Sequence, residues 1–213
     1  MSRNRRNGRT RRTGFQEPKR FIVVAMEGRA TEPCYFDLFR TAREHPMQYK
    51  PVSNPKDKSR PSEVYDRLDL AFRAYERSRD EGWLVIDRDA WSEAELDDVC
   101  RRARASGYHV ALSNPCFELW LYLHKRDNRQ FADRHDCQRA LGEVLANYSP
   151  DRKGSFDPQG LRDGIEAALE RAAALDQHPD TPWPRHQVTR VYRLVRKLMS
   201  GPTTDNTGER LHS

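Results

Sequence analysis

Three acidic residues follow runs apolar enough to be buried strands. "RFIVVAME" (20–27) ends in Glu27, and "GWLVIDRDAW" (82–91) carries Asp87 and Asp89 directly after Trp83, Leu84, Val85 and Ile86. Residues i and i+2 of an extended chain point to the same side with Cα atoms about 7 Å apart, so Asp87 and Asp89 can converge while Arg88 points away. Two carboxylates that close repel each other, and leaving them unpaired beside a buried strand is costly. A hard divalent cation, Mg²⁺ or Mn²⁺, resolves that conflict through oxygen ligation. The plainer alternative makes both of them turn or cap residues, which commonly follow strands.

The elements that must position these carboxylates alternate. After the first strand, Thr31 can cap a helix through about Arg43 with Pro33 in its first turn, where a missing N–H costs nothing. "YKPVS" (49–53) is a weaker strand candidate. The stripe Val64, Leu68, Ala71, Phe72 and Tyr75 predicts a helix within 61–80. Ser92 with Glu95 three residues on is a capping box for a helix through about Ser106, which Gly107 ends. "YHVALS" (108–113) is a further strand, followed by Asn114 as cap, Pro115 and the helical run "CFELWLYLHK". This order predicts an α/β sandwich with a small, mostly parallel sheet of about four strands flanked by helices. Open sheets of this kind bind ligands outside the carboxyl ends of their strands.

Beyond residue 125 no further strand is evident, and helices are expected from Asp133 to Asn147, from Pro158 to Leu175 under an Asp157 cap, and from His186 to Met199. "DQHPDTPWPR" (176–185) is a proline-bearing loop. The expected organisation is a disordered basic tail (1–19), an α/β core (20–125), a helical C-terminal portion of the same domain (126–200) and a flexible end (201–213).

The formal net charge is +6, but the first twenty residues hold eight Arg or Lys and one acid, which leaves 30 basic and 31 acidic residues elsewhere. The basicity belongs to the tail, which suits a polyanion because each Lys or Arg on a phosphate releases counterions. A solubility or targeting tail is the alternative, though it lacks the apolar core of a signal peptide. No run approaches the ~20 apolar residues that cross a bilayer. Cys34, Cys100, Cys116 and Cys137 form no C-x-x-C pair, which argues against zinc and against a disulfide framework, and a cytoplasmic protein with reduced thiols is expected. No phosphate-binding loop of the Walker or dinucleotide type is present, so ATP would have to act through a partner. Nothing in the sequence sets an oligomeric state.

The stretches "VVAMEGRATEPCYFDLF", "WLVIDRDAW" and "YHVALSNPCFELWLYLH" together resemble the RloB family, whose fold is similar to the Toprim domain of topoisomerases, bacterial primases and OLD-type nucleases. The resemblance runs from about Arg20 to Leu198, and its EG-x-x-TEP-x-YF and NP-x-FE-x-W motifs are more specific than D-x-D. Toprim enzymes hold Mg²⁺ with a Glu after the first strand and a D-x-D after a later one. Carried over by position, these are Glu27, Asp87 and Asp89. RloB-like proteins are associated with bacterial restriction and antiphage loci, often beside an ATPase gene. The likeness to OLD-type nucleases implies metal-dependent phosphodiester cleavage of DNA or RNA. One departure is "RHQVTRVYRLV", where family members often carry Asn-Pro near the last helix, which leaves the role of the loop before Thr189 open.

The expected chemistry is hydrolysis of a nucleic-acid phosphodiester. Asp87 and Asp89 are assigned as metal ligands and Glu27 as ligand or proton acceptor. Glu118 either completes a second metal site or merely suits the positive end of its helix. Arg29 is the candidate grip on a substrate phosphate, and Lys153 a second cation near the scissile bond as in similar enzymes; for each, a solvated surface role is the alternative. Glu32 is equally a first-turn surface residue or a ligand. His124 is expected to be packed, and Trp91 either packs or stacks on a base. The competing class of function is a non-catalytic nucleic-acid-binding or regulatory subunit of an ATPase-containing complex.

Overall fold

A computed structural model of the chain describes residues 19–40, 47–55, 59–88, 91–152 and 154–200. The basic tail therefore lies outside the described residues, as do Asp89, Lys153 and residues 201–213. Within them, β1 (Arg20–Met26), β2 (Met47–Pro51), β3 (Glu81–Asp87), β4 (His109–Asn114) and β5 (Val188–Thr189) form one sheet in the order β2-β1-β3-β4-β5. The first four strands are parallel and β5 runs antiparallel to β4. Among the described residues seven α-helices flank the sheet: α1 (Thr31–Phe36), α2 (Pro61–Phe72), α3 (Glu93–Ala105), α4 (Glu118–Leu123), α5 (Arg134–Val144), α6 (Ile165–Leu175) and α7 (Val191–Ser200).

The central strands are buried on both faces, which explains why they read as continuous apolar runs. Their alternating residues split into two cores. Val23, Ala25, Leu84, Ile86 and Leu112 pack against Val64 and Leu68 of α2 and Leu96 and Val99 of α3. Ile22, Val24, Met26, Trp83, Val85 and Ala111 face a larger core built from α1 and α4 to α7. The chain thus leaves β1 toward one face through α1 and leaves β3 toward the other through α3. That reversal between two neighbouring strands opens a crevice above their carboxyl ends.

Local signals account for most boundaries. Ser92 and Glu95 form the expected capping box, and Gly107 ends the turn after α3 with φ 71°, a conformation open to glycine at no steric cost. Asp133 and Asp157 accept backbone N–H bonds at their helix starts. Elsewhere the structure departs from expectation. Thr31 is the first helical residue, not a cap, because Ala30 occupies the cap position. Asn114 closes β4 and caps nothing; α4 begins four residues later. The last expected helix starts at Val191, and Val188 and Thr189 before it add a fifth strand, with Ser113 and Thr189 hydroxyls bonded at 2.8 Å in the interior. A two-residue strand is too short to show a period of two, so only its pairing with β4 reveals it.

The 176–187 loop is pinned from within. Arg190 is 2% exposed and donates to both oxygens of buried Asp176 and to the carbonyls of His178 and Thr181. Burial pushes the Asp176 carboxyl upward, but Arg190 and Arg193 outweigh it and hold it below the usual carboxylate range. Trp183 anchors the loop on the α2–α3 side and donates to Asp97 at 2.6 Å.

His124, at the end of α4, is packed edge-on to Tyr35 and Trp120, and its Nδ1 donates to the Leu161 carbonyl at 2.9 Å. Burial drives its pKa down from 6.5 to about 4. An unfolded chain takes up this proton near pH 6.5 and the folded one only near 4. Stability should therefore fall by roughly 3 kcal/mol as pH drops through that window. Urea unfolding at pH 7 and pH 4.5 is expected to show most of that loss in the native chain and not in His124→Leu; an equal loss in both would refute the assignment.

Candidate functional site

Glu27 and Asp87 meet at the carboxyl rim of β1 and β3. The Met26–Val85 register continues one step further, with the Glu27 N–H donating to the Val85 carbonyl at 2.9 Å. By alternation Glu27 continues the α2–α3 face and Asp87 the other. The Glu27 side chain bridges the two strands: its Oε2 accepts the Asp87 N–H at 3.1 Å, and the Trp91 indole N–H is shared between both of its oxygens at 3.2 Å. Arg88 turns the other way, with its guanidinium over the Trp183 ring.

The end of β1 is held from below by side chains. Asn54 donates to the Glu27 carbonyl at 2.7 Å, and Arg67 of α2 donates to the Met26 carbonyl at 2.8 Å and to that of Ser53 at 3.3 Å. These bonds satisfy carbonyls that the sheet leaves open at its rim.

A cleft of about 440 Å³ opens on this rim, lined by four carboxylates (Glu27, Glu32, Asp87 and Glu118), two guanidiniums (Arg29 and Arg134), and the Trp91 and Phe117 rings. Glu32 is 6% exposed and Glu118 4%, so neither is a surface group. Glu32 accepts the Gly28 N–H at 2.7 Å. Glu118 accepts the Tyr148 hydroxyl at 3.0 Å and the Gln138 amide at 3.3 Å, both on Oε1. Burial first, and then the Glu118 charge, push the Tyr148 phenol up, so it stays a donor. Cys116 lies beneath the cleft; contact with Cys137, burial, and the charges of Glu118 and Asp87 raise its pKa and keep it a thiol. All four cysteines are free.

The structure thus gathers Glu27, Asp87, Glu118 and Arg29 in one cavity. Asp89 and Lys153 lie outside the described residues. Among the described residues no three His, Cys, Asp or Glu side chains are arranged to hold a metal ion by themselves. The donors present are nonetheless of the kind a hard divalent cation takes, being carboxylate oxygens with no thiol or imidazole in the cavity lining. Arg134, Gln138 and Tyr148 escaped the sequence reading because α5 and the turn after it show ordinary helical periodicity. Glu32 was open to either reading, but its distance of four residues from Gly28 was a usable signal.

Fold and site together define a mixed α/β protein with an acidic cleft at a reversal point of its sheet. The family profile described as "RloB-like protein" matches residues 22–198, and the chain belongs to that family. No curated protein and no solved structure matches it. Among the described residues no helix is long and apolar enough to cross a membrane.

Gly28 gives this cleft a test of its own. A Cβ there would stand 1.8 Å from Glu32 Oε2, so Gly28→Ala must expel the carboxylate from its N–H partner, at about 1–3 kcal/mol. Combined with Glu32→Ala, the same change should cost far less, and unfolding of the four proteins of this cycle would measure it. Simple additivity would show that the two residues do not constrain each other.

Proposed function

We propose that the chain is a Mg²⁺- or Mn²⁺-dependent nuclease that hydrolyses phosphodiester bonds of DNA or RNA on a Toprim-like sheet. Its setting would be bacterial antiphage defence, under the control of a partner ATPase. The observation that carries this reading is the bonded convergence of Glu27 and Asp87 at the β1–β3 rim, inside a cleft that also holds Glu118 and two arginines. Family membership supports the expectation that Asp89 joins them.

A divalent ion held there supplies Lewis-acid charge to the phosphoryl group and makes a nearby water more acidic. The chain does the rest. Glu27, Asp87 and Asp89 hold the ion, with Glu27 fixed in place by Trp91 and the Asp87 N–H. Arg29 and Arg134 hold the phosphate oxygens, and Lys153 adds a further cation near the scissile bond. Glu118, with Oε1 committed to Tyr148 and Gln138, keeps Oε2 for a second ligand bond or for a proton.

Calorimetric titration with Mn²⁺, and incubation with labelled DNA and RNA with and without the neighbouring ATPase, test this directly. Folded Asp87→Asn should lose metal affinity by at least about 100-fold and lose cleavage with it. Wild-type uptake or cleavage in that variant would overturn the assignment. A native protein that takes up no ion would point to the non-catalytic subunit of an ATPase complex. Deleting residues 1–19 should weaken nucleic-acid binding and flatten its dependence on salt; an unchanged slope would remove the tail from the interface.

A further inference from the structure

We infer that a second cavity, adjoining the acidic cleft, is a subsite for the nucleotide next to the scissile phosphate. This rests on the nuclease reading above and adds to it where the strand runs. The cavity, about 420 Å³, lies over the carboxyl ends of β1 and β2 and shares Gly28 and Arg29 with the acidic cleft as a common wall. Its volume falls in the range that takes a small ligand, about 300–1,000 Å³.

Its chemistry is the reverse of its neighbour's. Arg29 and Arg40 line it, and among the described residues no carboxylate does. The Arg40 Nε is engaged with Asp37 at 3.2 Å in an exposed ion pair, an arrangement of little strength in water that a phosphate can displace. Arg67 adds a third positive charge below, fixed to the Ser53 and Met26 carbonyls of the cavity wall. Pro33, Pro51 and Val52 supply an apolar floor. Guanidiniums above apolar surface match a nucleotide, whose phosphate takes forked N–H donors and whose sugar and base cover carbon.

The pairing of the two cavities gives the arrangement direction. A phosphate that enters the acidic cleft needs a cation to offset four carboxylates, whereas a phosphate one nucleotide away needs only the arginines. Arg29 stands on the boundary and can serve both. A single strand would then cross the rim from β3 over β1 toward β2.

The experiment measures binding without turnover. A 5′-fluorescein single-stranded oligonucleotide, as DNA and as RNA, is titrated in EDTA at several salt concentrations with native protein, Arg40→Gln and Val52→Asp. Circular dichroism melting confirms that each variant is folded. Arg40→Gln should weaken binding several-fold and lower the slope of log affinity against log salt by about 1. Val52→Asp, which sets a negative charge on the floor, should weaken it at least as much. Unchanged affinity and slope in both variants, with normal binding by the native protein, would overturn the subsite alone. A native protein that binds neither oligonucleotide would overturn the nuclease reading together with it.

Discussion

The acidic rim depends on the parallel pairing of β1 with β3 and on the reversal that this pairing creates. Because β2 lies on one side of β1 and β3 on the other, the chain departs from the two neighbouring strand ends toward opposite faces. The loops separate there and leave a crevice, and the residues that follow each strand stand on its banks. Glu27 and Asp87 are those residues. The Glu27 carboxylate ties the banks together by accepting an N–H from β3 and the indole N–H of Trp91.

Four carboxylates around one cleft carry an electrostatic cost, and the surrounding protein partly offsets it. Each of the three whose partners are resolved accepts at least one fixed donor: Trp91 and the Asp87 N–H for Glu27, the Gly28 N–H for Glu32, and Tyr148 with Gln138 for Glu118. These bonds replace part of the hydration that burial removes from the carboxylate oxygens. These donors also restrict rotation. The cleft is preorganised by the side chain of Trp91 ahead of α3 and by side chains from α5 and from the turn after α5 as much as by the strands beneath it.

The C-terminal helices are part of this arrangement. They cover the sheet face from which Asp87 projects, supply Gln138 and Arg134, and bury α4 on all sides so that Glu118 is delivered into the cleft. The loop before β5 closes the far side of the sheet through the Arg190–Asp176 pair and Trp183. Trp183 lies under the Arg88 guanidinium, which also donates to the Trp91 carbonyl.

Much of this was legible in the sequence. Continuous apolar runs marked β1, β3 and β4 because strands covered on both faces carry no polar alternation, and the Ser92–Glu95 box marked α3 because a cap is a contact within four residues. Glu27 and Asp87 could be named because they end such runs. What the sequence could not supply was any relation between distant segments. Strand order, and with it the crevice between β1 and β3, depends on which helix crosses to which face. The strand β5 exists only through its bonds to β4. Glu118 and Glu32 could be named but not placed, and Arg134 and Tyr148 look like ordinary helix or turn residues until packing draws them to one cavity. Local hydrogen bonding and periodicity are written in adjacent residues; a site assembled from several separated segments is decided by the tertiary fold, because the free energy that brings those segments together lies in burial shared across the whole core.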